Sequence, residues 1–251
     1  MAVGARTDAD IQRDILEQLQ ADARIDASDI QVQVAAGQVV LDGAVPHYRA
    51  RRTAEDAAGA IPGVLSTENN LVVKHPRAGE LPTDQELKIR VESLLRWQPD
   101  LEAAGIDVSI HGGWVTLRGR VDAHWKRSRA ERLIFYIGGI VGLDNQIVVR
   151  PAEEPGEDGQ VERQLRAALR RNAWIDAGRL QVQVREGVAT VTGSVPTLAV
   201  YRQVQETLES LAAGIREIEN DVLVERTGPP GAAESSVRRV GRREEPSSWP
   251  R

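Results

Sequence analysis

Imidazoles are the side chains best suited to moving protons near neutral pH or to holding a transition metal. This chain has four, at His47, His75, His111 and His124. They are scattered, and neither His75 nor His111 recurs at an equivalent position elsewhere. His47 and His124 both fall near the start of a helical segment, but a third equivalent is missing, where Thr197 and Leu198 stand instead. A shared metal site is therefore not expected. There is no cysteine, which removes thiolate zinc sites and any disulfide framework. Adjacent carboxylates, Glu153-Glu154 and Glu244-Glu245, sit in segments rich in Pro, Gly and charge, where no burial is available to tune a general acid. Ser128, Ser194 and Ser210 lie in no Gly-x-Ser-x-Gly elbow. No glycine loop of the phosphate-cradling kinds is present either. The residues predict no catalytic site, no cofactor and no metal. A deep polar pocket between structural units is the one feature that would reopen enzymology.

The positions that do recur are glycines and strand residues, and they define the architecture. Ile30-Gln-Val-Gln-Val34 returns as Ile106-Asp-Val-Ser-Ile110 and as Leu180-Gln-Val-Gln-Val184. Gly37-Gln-Val-Val-Leu-Asp-Gly43 returns as Gly113-Trp-Val-Thr-Leu-Arg-Gly119 and as Gly187-Val-Ala-Thr-Val-Thr-Gly193. A fixed period of this kind marks a tandem repeat. Ahead of each strand pair runs a helix-period apolar stripe: Ile11, Ile15 and Leu19; Leu87, Val91 and Leu95; Val161, Leu165 and Leu169. Thr7 or Asp8, Thr83 or Asp84, and Asp158 are placed to cap these helices. A second helix follows from about Ala50, Ser128 and Val200, with stops near Gly63, Gly139 and Gly214. A last strand closes each unit at Asn70–Val73, Gln146–Val149 and Asp221–Val224.

The sequence thus predicts an α+β fold of three tandem αββαβ modules, each a small three-stranded mixed sheet covered on one face by two helices. Their expected bounds are 7–75, 83–150 and 158–226, with linkers at 76–82 and 151–157 and a disordered tail over 227–251. Gly43, Gly119 and Gly193 read as structural glycines, needed for positive φ or close backbone approach.

Composition bounds the partners. With 41% hydrophobic and 27% charged residues the chain is an ordinary globular one, and its formal charge of −5 argues against nucleic acid as the main partner. The most apolar window, Leu133–Leu143, falls far short of the roughly 20 residues of a membrane-spanning helix. The N-terminus carries no basic and apolar export signal, which predicts a cytoplasmic protein, with a periplasmic or membrane-associated placement as the alternative. In that apolar window Phe135, Tyr136 and Ile140 stand close to Lys126, Arg127, Arg129 and Arg132. If those apolar side chains are not all inward, the seven residues form a patch suited to an anionic lipid surface or a partner protein. The competing reading is that the middle module simply has the fullest core.

Gly113-Trp-Val-Thr-Leu-Arg-Gly119-Arg-Val121, Ala130-Glu131-Arg132, Gly139-Ile-Val-Gly142 and Asn145-Gln-Ile-Val-Val149 together resemble the BON family, named for bacterial OsmY-like and nodulation proteins. The first copy matches through Gly37–Val45, Ala54-Glu55, Gly63-Val64 and Asn69. The third matches through Gly187–Val195 and Asn220 but lacks the Ala-Glu step. The resemblance implies a non-enzymatic protein of osmotic or envelope stress that binds phospholipid, or alternatively a chaperone-like or protein-interaction scaffold without lipid affinity. The OsmY-like members carry an export signal and two copies, from which this chain departs.

Overall fold

The computed structural model describes residues 6–75, 81–102, 105–150, 157–211 and 215–225. The first module runs α1 (Asp8–Ala21), β1 (Ile30–Ala35), β2 (Gln38–Val45), α2 (Tyr48–Gly59) and a last strand in two pieces, β3 (Ser66–Asn69) and β4 (Val72–Val73). The second runs α3 (Asp84–Arg96), a one-turn α4 (Pro99–Glu102), β5 (Asp107–His111), β6 (Trp114–Val121), α5 (His124–Ile134) and β7 (Gly142–Val149). The third runs α6 (Asp158–Arg171), a 3-10 turn at Ala177–Arg179, β8 (Leu180–Arg185), β9 (Val188–Val195), α7 (Leu198–Ser210) and β10 (Glu217–Val224). In every module the second strand is central, antiparallel to the first and parallel to the last. The mixed sheet follows from the connections: a tight turn joins the first two strands, and a helix carries the chain back to add the third in parallel.

Each helical stripe read from the sequence is buried: Ile11, Ile15 and Leu19; Leu87, Val91 and Leu95; Val161, Leu165 and Leu169. They meet Val32, Leu41 and Val45 or their counterparts on the covered sheet face. The opposite face keeps the polar members of the alternation, such as Gln31, Gln33, Gln181 and Gln183, in solvent.

Local chemistry explains the turns. Thr7 and Thr83 cap α1 and α3 in full capping boxes with Asp10 and Glu86. The aspartate that follows does different work from the capping expected of it. Asp8 accepts from the Ala36 and Gly37 amides, Asp84 from Gly112 and Gly113, and Asp158 from Glu186 and Gly187. The helix N-terminus is thereby pinned to the hairpin. The Gly112 and Gly113 amides hold the Asp84 carboxyl below its ordinary range. Gly43, at φ 120°, would place a Cβ 1.9 Å from the Asp29 carbonyl oxygen, and Gly193 a Cβ 2.1 Å from that of Arg179. The strand therefore passes its neighbour at a distance only glycine permits.

The second helices depart from expectation at both ends. They begin at Tyr48, His124 and Leu198, earlier than Ala50, Ser128 and Val200. Two of them finish at Gly59 and Ile134, ahead of Gly63 and Gly139, which form the turn into the last strand at φ 96° and 97°. Gly214 lies outside the described residues, as do 76–80 of the first expected linker, 151–156 of the second and the whole tail. The last strands start earlier than expected, at Ser66, Gly142 and Glu217.

These second helices also join the modules. Leu198 of α7 packs over Gly59 of α2, and Arg202 of α7 donates to Glu55 and Asp56 of α2 at 2.7 and 2.8 Å. Ser128 of α5 donates to Glu209 of α7 at 2.6 Å. Tyr48 of α2 meets Phe135, at the end of α5, edge-on with ring centroids 6.0 Å apart. The cores of the first and third modules are continuous.

Candidate functional site

The structure distributes the seven residues of the middle-module window among several tasks. Ile140 is in the core. Phe135 is half-buried between Tyr48 and Tyr136. Tyr136 is exposed, with the Arg49 guanidinium over its ring at 5.3 Å. Arg127 reaches back to the Asn145 carbonyl and Lys126 pairs with Asp122. Helix α5 starts at His124, so the segment spans a helix, its end, a turn and a strand start, and no single face can hold all seven.

Arg129 and Arg132 are the pair that the fold brings to a shared surface. Lying three residues apart on α5, they share a helix face with Trp125. Arg129 donates to Gln98 at 2.8 Å, so the end of α3 is fixed beside it. Next to Gln98 stands Trp97, 82% exposed. On the other flank Arg132, Trp125, Gln203, Glu206, Thr207 and Ser210 line an open cleft of about 240 Å³ between α5 and α7. Thr207 accepts from the Asn172 side chain at 3.3 Å, and two residues further on stands Trp174, 79% exposed. Trp97 thus stands directly before the residue that Arg129 holds, and Trp174 stands two residues beyond the partner of Thr207. Arg96, Arg170 and Arg171 add positive charge at the last turns of α3 and α6.

Sequence reasoning passed over both exposed indoles. Each follows the last apolar residue of a first-helix stripe, at positions where the first module has Ala21 and Arg24. A tryptophan off the stripe and beside arginines was the available signal. Its exposure depends on contacts from α5 and α7, which a sequence does not display.

A second cleft, of about 290 Å³, lies on the same junction and is lined by His124, Arg127, Ser128, Glu131 and Glu209. Burial lowers the His124 pKa, against the opposing pull of Glu209. Ser128 donates to that glutamate, and no geometry here presents a serine hydroxyl to a histidine base. Both clefts are open to solvent, as is a larger one of about 460 Å³ in the third module lined among others by Arg166, Arg170, Gln181, Gln183, Thr190 and Thr192. Among the described residues no group of three or more His, Cys, Asp and Glu side chains is placed to hold a metal ion, and no helix is long and apolar enough to cross a membrane.

A family model described as BON domain matches the chain three times, over residues 7–75, 83–151 and 157–226. No curated protein shows significant similarity. Among solved structures, two of CdsD, a structural protein of the type III secretion system of Chlamydia trachomatis, are each 19% identical with a TM-score of 0.24. The alignments cover 86% of this chain and 93% of one CdsD chain, and 88% of this chain and 100% of the other, its C-terminal domain. The PrgH periplasmic domain is 12% identical with a TM-score of 0.20, over 78% of this chain and 95% of that one.

Proposed function

Because this chain belongs to the BON domain family, through three tandem copies, we propose that it is a non-catalytic stress-response protein that associates with anionic phospholipid surfaces. The observation that carries the reading is the exposure of Trp97 and Trp174 on a molecule that also carries arginines at the ends of α3, α5 and α6. Two indoles more than three-quarters exposed leave apolar surface in water. Tryptophan is the side chain most at home at a membrane interface, where the ring enters the headgroup boundary and its N–H stays hydrated. Those arginines supply the attraction to phosphate, worth about 1 kcal/mol each near an anionic surface. Glu209 on the same junction is engaged by Ser128 and Gln205, and Glu206 by Gln203, which moderates their repulsion.

Cosedimentation with anionic and neutral vesicles, at low and high salt, tests this. The full chain and a version ending at Glu225 should both bind anionic vesicles, less at high salt. Trp97→Ala with Trp174→Ala should abolish pelleting, and Arg132→Gln should weaken it roughly fivefold. Equal pelleting by the double tryptophan variant would move the contact elsewhere. No pelleting by the parent would turn the reading to a protein-interaction scaffold.

A further inference from the structure

The first strand of each module is a sheet edge, and an unpaired edge is a template for another strand. Two of the modules cover it from their own first helix. In the first, Gln12 of α1 donates to the Val32 carbonyl at 2.7 Å. In the third, Arg166 of α6 donates to the Val182 carbonyl at 2.9 Å and Glu162 accepts from the Val184 amide at 3.2 Å. The equivalent helix residues of the middle module are Lys88 and Glu92, which pair with each other across 3.6 Å. Among the described residues neither reaches β5, and the outward carbonyl of Val108 and amide of Ile110 are left for water. The three copies thus act as internal controls, and the middle one has lost the cover.

We propose that β5 pairs with β5 of a second copy of this chain, in antiparallel register about a twofold axis at Ser109. The strand is self-complementary in that register. Val108 and Ile110 direct their outward groups at Ile110 and Val108 of the other copy, giving four backbone hydrogen bonds. On the open face, where both residues are exposed, Asp107 falls opposite His111 twice over, a carboxylate facing an imidazole that donates to it. The two three-stranded sheets become one of six, and the isologous contact closes at a dimer. The opposite edge of the third module lacks this fit, since Glu217 and Glu219 on β10 would face each other in a self-pair about Ile218, and Glu219 would face Asp221 in one about Asn220. The lipid reading rests on Trp97, Trp174, Arg129 and Arg132, none of which lies on β5, so the two contacts use different residues.

Light scattering on the eluting full-length chain, over a wide concentration range, reads the result. The parent should approach twice the chain mass as concentration rises. Lys88→Glu with Glu92→Arg copies the cover of the third module while keeping the ion pair and the net charge, and it should hold the chain at a single mass. Asp107→Lys should do the same by opposing His111, and the exchange Asp107→His with His111→Asp should restore the doubled mass. Circular dichroism of each variant establishes that it is folded. A parent of single mass at every concentration overturns the proposal, as does a dimer that survives the Lys88→Glu, Glu92→Arg change.

Discussion

Ala36 and Glu186 hold the left-handed backbone that glycine holds in the middle module. Their φ angles are 51° and 52°, against 56° for Gly112, and each is followed by a glycine also at positive φ. Two successive residues of this kind are what a two-residue hairpin turn requires to follow the twist of its strands. For alanine the conformation costs on the order of 1 kcal/mol, borne because the Ala36 amide is held by Asp8 at 2.7 Å. Asparagine tolerates the region and keeps that amide. Ala36→Asn should therefore raise stability by about 0.5–1 kcal/mol, seen as a higher urea midpoint with an unchanged slope. An unchanged midpoint would mean that the Asp8 contact, rather than backbone preference, governs the turn.

At the scale of elements, an asparagine in the last strand fastens the second helix to the sheet. The Asn145 side chain donates to the Arg127 carbonyl in α5 and accepts from the Ile147 amide, while Arg127 returns a bond to the Asn145 carbonyl. Asn69 does the same with Arg51 and Leu71. In the third module Asn220 bonds Gln205, and the Tyr201 hydroxyl takes the place of the arginine. Removing the amide leaves the Ile147 amide without its partner and the Arg127 carbonyl with its helical bond alone, so Asn145→Ala should cost about 2 kcal/mol in chemical denaturation. A loss within experimental scatter would show that water replaces it. The helices and strands were legible because their apolar periods differ, 3.6 against 2, and because each pattern occurs three times. Helix ends were not: Gly63 and Gly139 sit in turns beyond helices that had already stopped. For a related reason the window around Phe135 kept two readings open, a surface patch or a fuller core, since periodicity cannot show where a helix gives way to a turn. Arg129 and Arg132 were legible as candidates from their charge, whereas Trp97 and Trp174 stand off the helical stripes and nothing in the apolar pattern singled them out.

Taken as a whole molecule, the chain is three small modules joined through their second helices, with one core shared by the first and third and another in the middle module. A module of this size buries too little apolar surface to be robust alone, and the joints supply what each lacks. One of them links the first and third modules across about 150 residues of sequence, through Leu198 on Gly59 and the Arg202 guanidinium between Glu55 and Asp56. Arg202 and Glu55 are only 26% and 19% exposed at their side chains, so their pairing is less screened than a surface ion pair. Arg202→Glu would set a third carboxylate against two and leave Glu55 only the longer pair with Arg52 at 3.9 Å, at a cost on the order of 2 kcal/mol concentrated at this joint. The parent should melt calorimetrically in one transition, because the first and third modules share a core. The variant should show a third-module transition at lower temperature, with the first and second modules still melting together through Tyr48 and Phe135. A single transition merely shifted downward would place the coupling in the apolar contact of Leu198 instead, since apolar burial persists when the ion pair is reversed.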